Sequence, residues 1–167
     1  MAKAVFVIDM QNICVGDAHD KFFKYNNENI IASVNRVIDE NKENSIIYIL
    51  NIMEDNFINK FAPFKAFDGS ENTALVNTLI ISSDYIFKKY KGDAFTNPKL
   101  KEKLDELNID EVEVVGVDGG GCVALTALGA IKAGYKVIVN SNAIGTMFYK
   151  RADRYNKKLK ELGAKFI

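Results

Sequence analysis

Cysteine and histidine are scarce in this chain. Its 167 residues include two cysteines, Cys14 and Cys122, and one histidine, His19. Two cysteines so far apart make no disulfide framework and have no metal-ligand spacing. A single histidine excludes a His-rich zinc site and leaves any Ser-His-Asp machinery only His19 to draw on. An excess of either charge is lacking too: Lys plus Arg and Asp plus Glu number 22 each, so the formal net charge is zero. No global field therefore steers the chain towards nucleic acid or an anionic membrane. No apolar run reaches the roughly 18 residues that a membrane span needs. The opening MAKAVFVIDM meets an Asp too early for a signal peptide. A reducing cytoplasm is the expected compartment. No repeat, low-complexity stretch or linker breaks the chain.

What is present is globular in kind. Hydrophobic residues make up 48% and charged residues 26%, enough for a core and not a disordered composition. The length suits one domain, residues 1–167. Apolar runs alternate with amphipathic segments, the pattern of βαβ units around a parallel sheet. Strands are expected at 4–9, 45–52, 84–89, 111–117, 135–141 and 164–167. Helices are expected at 27–42, near 71–79, at 97–107, from Cys122 and at 147–162, with a Phe-rich loop over 53–70. Ile30, Ile31, Val34, Val37 and Ile38 recur at helical spacing, and Pro98 suits a first helical turn. The expected fold is a three-layer α/β/α sandwich with a six-stranded, mostly parallel sheet.

In such sheets, sites form beyond the carboxyl ends of the strands. Asp9 ends the first strand, Lys89 ends the third, and Cys122 opens the helix after the fourth. A thiol at a helix N-terminus feels the positive end of the macrodipole, which favours thiolate, and a nearby lysine adds to the effect. A carboxylate within reach can take the thiol proton and return it to a leaving amine. Taken singly, each residue has an ordinary explanation: a turn aspartate, a solvated lysine, a small packing cysteine. The signal is that all three meet on one edge of the sheet.

Three segments carry a resemblance. VFVIDMQN (5–12) resembles the opening of the isochorismatase-like cysteine hydrolases, which include nicotinamidases and N-carbamoylsarcosine amidases. DYIFKKYKGDAF (84–95) is similar to the family's second motif, whose lysine lies six residues before a Phe, which selects Lys89. VVGVDGGGCVALTALGAIKAGYKVIVNSNA (114–143) resembles the third, with the nucleophile on Cys122.

The resemblance implies an amidohydrolase mechanism with Asp9 as general base, Lys89 holding the Asp9–thiol pair, and Cys122 forming a thioester with a small amide-type substrate. It also implies a cis peptide at Val117–Asp118 and an oxyanion hole from the backbone N–H groups of Asp118 and Cys122. Gly119, Gly120 and Gly121 stand where the family commonly has a Thr-Asp pair and one more residue, which leaves the loop without those side-chain anchors. Ile13 replaces an Asp often found after the Gln-Asn pair. Asn51, Glu54, Asp55 and Asn56 lack the Asp-and-His cluster that binds metal in nicotinamidases, so neither metal nor other cofactor is expected. Gln11, Phe57, Phe61 and Phe64 are candidate walls of the substrate pocket; the phenylalanines could equally form the loop's own core or a subunit contact. A homo-oligomer is expected. Two other readings stay open: a non-catalytic binding member of the same fold, and an isochorismate-type ether hydrolase, which does not need the cysteine.

Overall fold

A computed structural model describes residues 2–17, 19–21, 23–63 and 65–167. The strands are β1 (Ala2–Ile8), β2 (Ser45–Asn51), β3 (Ile86–Lys89), β4 (Ile109–Val117), β5 (Lys136–Gly145) and β6 (Lys165–Phe166). The α-helices are α1 (Asn12–Val15), α2 (Ile30–Glu40), α3 (Pro98–Glu106), α4 (Cys122–Lys132) and α5 (Tyr149–Glu161). Strand order is β3-β2-β1-β4-β5-β6, and every pairing between these strands is parallel.

The two faces of the sheet are apolar for a common reason: parallel strands covered on both sides need hydrophobic residues at successive positions. On one face Phe6, Ile8, Ile49 and Val114 pack against Leu100 and Leu104 of α3, Ala124 and Ala127 of α4 and Leu159 of α5. On the other, Val5, Val7 and Tyr48 meet Val34, Val37 and Ile38 of α2. The sandwich therefore has three layers. Gly116 lets β4 approach β1: its φ is +108°, and a Cβ there would lie 2.1 Å from the carbonyl oxygen of Ile8.

Some boundaries differ from those read in the sequence. The segment near 71–79 forms only a 3₁₀ turn, Glu71–Thr73. Its backbone instead serves the start of the chain, where Asn12 N–H donates to Ala74 O and Val76 N–H to Met10 O. Helix α1, one turn long, has no periodic signature to announce it. Strand β5 continues past 141 because it re-pairs with β4 through a bulge: Val114 faces Val139, but Gly116 faces Ile144. The polar Asn-Ser-Asn interrupts the apolar run and hides that continuation.

Topology decides where a site can open. From β1 the chain winds outward to β3, then returns to β4 and winds the other way. Between β1 and β4 the connections leave towards opposite faces, opening a crevice at the carboxyl ends of these two strands.

Candidate active site

Asp9 follows the last residue of β1 in the left-handed region, φ +54°. That conformation is uncommon for residues other than glycine, and aspartate is among those that tolerate it. Its N–H donates to Ile49 O at 3.0 Å, which ties the turn to β2. Lys89 ends β3, two strands away, and lies in register opposite Asn51 of β2. Its side chain reaches across the end of β2 into the crevice. Cys122 opens α4 after the Val117–Asp118 peptide, which is cis.

The Lys89 ammonium is the hub of this arrangement. It donates to Asp9 Oδ2 at 3.0 Å, to Asn51 Oδ1 at 3.1 Å and to Cys122 Sγ at 3.1 Å. Three N–H bonds meet three acceptors, so a residue only 1% exposed is fully satisfied. Burial pulls its pKa down, but the Asp9 carboxylate and the Cys122 sulfur outweigh burial and hold it above the usual lysine value. Asn51, named from the sequence only as lacking the chemistry of a metal ligand, is a further member of this cluster. The available signal was its place as the end residue of β2, level with Lys89.

The thiol differs from the sequence expectation. Burial and then the adjacent Asp9 carboxylate push the Cys122 pKa up to about 12, and Lys89 offsets only part of that. Desolvation of a thiolate in a largely buried site is the largest effect, and the lysine does not overcome it. At rest the sulfur is therefore a thiol. Alkylation of Cys122 by iodoacetamide should accordingly rise about tenfold per pH unit from about pH 7 to about pH 10. Cys14 should remain slower, since burial holds its thiol well above the ordinary value. Mass-spectrometric mapping reads both rates, and a plateau for Cys122 below about pH 9 would contradict a resting thiol.

Asp9 is 4% exposed, and its second oxygen, Oδ1, is buried without a hydrogen-bond partner. Buried polar atoms are seldom left so, which makes Oδ1 a ready acceptor for a proton brought into the crevice.

A cavity of about 300 Å³ opens above these groups, bounded by Asp9, Cys122, Ile13, Cys14 and Leu125 and by a wall containing Tyr25 and Phe148. Phe23 stacks on Tyr25 with ring centroids 6.3 Å apart and also faces the cavity. Gln11 reaches it too, but its carboxamide is taken up by backbone: it donates to Thr73 O and Asn51 O and accepts from Asn51 N–H. Phe57 and Phe61 do not wall the cavity. They are 76% and 75% exposed, edge to face at 5.1 Å, on a chain excursion pinched at its base by a bridge between Met53 and Phe67. Phe64 lies outside the described residues. A larger, shallower depression of about 810 Å³ beside the start of α2 contains none of the Asp9–Lys89–Cys122 cluster.

The site does not fit a metal centre. Asn51 offers a neutral carboxamide whose oxygen already accepts from Lys89. Among the described residues no group of three His, Cys, Asp or Glu side chains is arranged to hold an ion. Nor, among those residues, is any helix long and apolar enough to cross a membrane.

Residues 3–167 match the isochorismatase domain family, and the chain belongs to that family. The general activity that membership supports is that of a cysteine hydrolase acting on small carboxamides or related C–N bonds. An isochorismatase-like hydrolase from Alkaliphilus metalliredigens is 25% identical with a TM-score of 0.85, covering 99% of this chain and 94% of its own. Pyrazinamidase of Pyrococcus horikoshii, solved in complex with zinc, is 22% identical with a TM-score of 0.85, over 100% and 99% of the two chains. N-carbamoylsarcosine amidase from Thermoplasma acidophilum is 20% identical with a TM-score of 0.81, over 99% and 95%. These last two likenesses are of fold. No individually curated protein matches the chain.

Proposed function

We propose that this protein hydrolyses the C–N bond of a small carboxamide or carbamoyl compound through a thioester on Cys122. The observation that carries the reading is the unpartnered Asp9 Oδ1, buried at the floor of the cavity that Asp9 and Cys122 line together. Asp9 takes the thiol proton as the sulfur attacks the carbonyl carbon, so that charge passes to the substrate oxygen as it leaves the carboxylate–thiol pair. Lys89 stabilises the sulfur while it is anionic and holds both partners in place. Asp9 then returns the proton to the leaving nitrogen, and ammonia or an amine departs as the C–N bond breaks. Water, deprotonated by the same carboxylate, attacks the thioester; the acid product leaves and the thiol is restored.

The developing oxyanion is received by the N–H groups of Asp118 and Cys122. The three between them are already engaged: Gly119 donates to Gly145 O, Gly120 to Asp118 Oδ1, and Gly121 to Asp118 O. Arg151 is the only cation among the described residues lining the cavity, and it lies over the Phe148 ring at 5.3 Å. It favours substrates that carry an anionic substituent.

A panel of amides, ureas and carbamoyl compounds, with ammonia release measured, tests this reading. Turnover of at least one member is expected, and it should persist in EDTA. Anionic members should have lower KM than neutral ones of like size. Activity that EDTA removes and zinc or manganese restores would show a metal-dependent enzyme instead. No turnover across the panel would favour the binding-protein reading.

A further inference from the structure

The carboxylate of Asp118 has no place in the mechanism above, which uses only that residue's backbone. It is nonetheless buried, and both of its oxygens are occupied. Oδ1 accepts from Gly120 N–H at 2.7 Å, and Oδ2 accepts from Met147 N–H. These donors belong to different segments. Gly120 is in the loop that leads to Cys122, whereas Met147 is in the turn joining β5 to α5. That turn contributes Met147 and Phe148 to the cavity wall, and Arg151 follows in the first turn of α5.

The two segments are in close contact. A Cβ on Gly120 would lie 2.3 Å from Phe148 O and 3.0 Å from Ala152 N, and one on Gly119 would lie 2.3 Å from Thr146 Oγ1. Glycine at 119 and 120 is what lets the loop dock against the turn. At Gly121 the nearest atom would be 3.5 Å away, so that position is free of this demand. A triglycine segment has no side chains with which to hold itself. The adjacent carboxylate supplies that hold, and ionic acceptors make the stronger hydrogen bonds.

We propose that the Asp118 carboxylate is a positioning residue: it clamps the 118–121 loop to the β5–α5 turn, and so sets the oxyanion-binding N–H groups and one substrate wall with a single group. Burial raises its pKa, while the N–H groups of Met147, Gly120 and Phe148, and then Arg151, work against that rise. The inference rests on the hydrolase reading for its catalytic consequence, but the clamp itself can be observed without a substrate.

Asp118→Asn keeps the size and one acceptor, but its NH₂ must face a backbone N–H. With the substrate found in the panel, kcat should fall about 10²-fold, the typical cost of losing an oxyanion donor, and KM should rise as well, because the same clamp sets a substrate wall. The alkylation rate of Cys122 should stay within about twofold of wild type, because displacement of iodide builds no oxyanion. Amide hydrogen exchange at Gly120 and Met147, protected in the wild type, should accelerate in the variant. Hydrolysis within about threefold of wild type would overturn the proposal, as would alkylation falling in parallel with hydrolysis, which marks general disruption. If the wild type turns over no panel member, the hydrolase reading fails by itself and exchange decides the clamp. Unchanged exchange in Asp118→Asn, or unprotected amides at Gly120 and Met147 in the wild type, refutes it. If Asp118→Asn does not fold, protection of those two amides in the wild type still decides for or against the clamp.

Discussion

Cys122→Ala is expected to bring ammonia release down to background, a loss of about 10⁴-fold or more, with the fold intact. The size follows from the role. A nucleophile that forms the covalent intermediate has no substitute in the cavity, and removing such a group typically costs as much as removing the whole catalytic unit. Cys14 lines the same cavity, but its thiol is held well above the ordinary value, chiefly by burial and then by the Asp9 carboxylate. Cys122→Ser should be nearly as inactive, since a hydroxyl releases its proton less readily than a thiol in the same buried setting. Melting temperature should shift little, because Lys89 keeps two of its three acceptors, Asp9 and Asn51. Ammonia assays paired with thermal melts check both parts. Activity of Cys122→Ala within about tenfold of wild type would remove the thioester route and point to direct attack of water on the C–N substrate without the cysteine.

The second large effect is on stability. Lys89→Met keeps an unbranched side chain of similar length, so the apolar packing of the lysine stem survives. What it removes is the countercharge of a buried carboxylate. Leaving one member of a buried pair unpaired typically costs about 3–5 kcal/mol, against a net worth near zero for the pair itself. The double variant Asp9→Asn/Lys89→Met should therefore recover much of the loss, although both variants are inactive. Urea denaturation near neutral pH measures the cycle; a single Lys89→Met variant as stable as wild type would refute the coupling.

The pH dependence has a definite sign. Lys89 titrates above its unfolded value, so its contribution is complete below that value and is lost as pH rises through the folded pKa. Cys122 also sits above its unfolded value and prefers the neutral form in the fold. The wild type should thus weaken progressively above about pH 9, and Lys89→Met should lack the lysine share of that decline.

The strand ends were legible because parallel strands must be apolar at successive positions, so a charged residue after such a run marks where it leaves the core. Asp9 closes a run in this way, and Cys122 follows a strand and opens a helix; in β3, where Lys88 precedes Lys89, only the motif spacing selected Lys89. The Phe-rich excursion was ambiguous for the opposite reason. Phe57 and Phe61 have the composition of a pocket wall, but in the fold they are largely exposed on the excursion that the Met53–Phe67 bridge closes, and they do not line the cavity. Asn51 carries no pattern of its own; only the pairing of β2 with β3 brings it opposite Lys89.

The sequence by itself determined the alternation of elements, the parallel sheet and the edge of that sheet on which Asp9, Lys89 and Cys122 fall. Periodicity and burial are local properties of a chain, and they can be read one segment at a time. Only the tertiary structure decided that the thiol pKa is raised, because desolvation and the Asp9 charge arise from groups remote in sequence. It alone decided that the three glycines are anchored, since the partner of the Asp118 carboxylate is Met147, in a turn beyond the next strand. Side-chain charge, solvation and cavity shape are sums over neighbours that the chain brings together only when it folds.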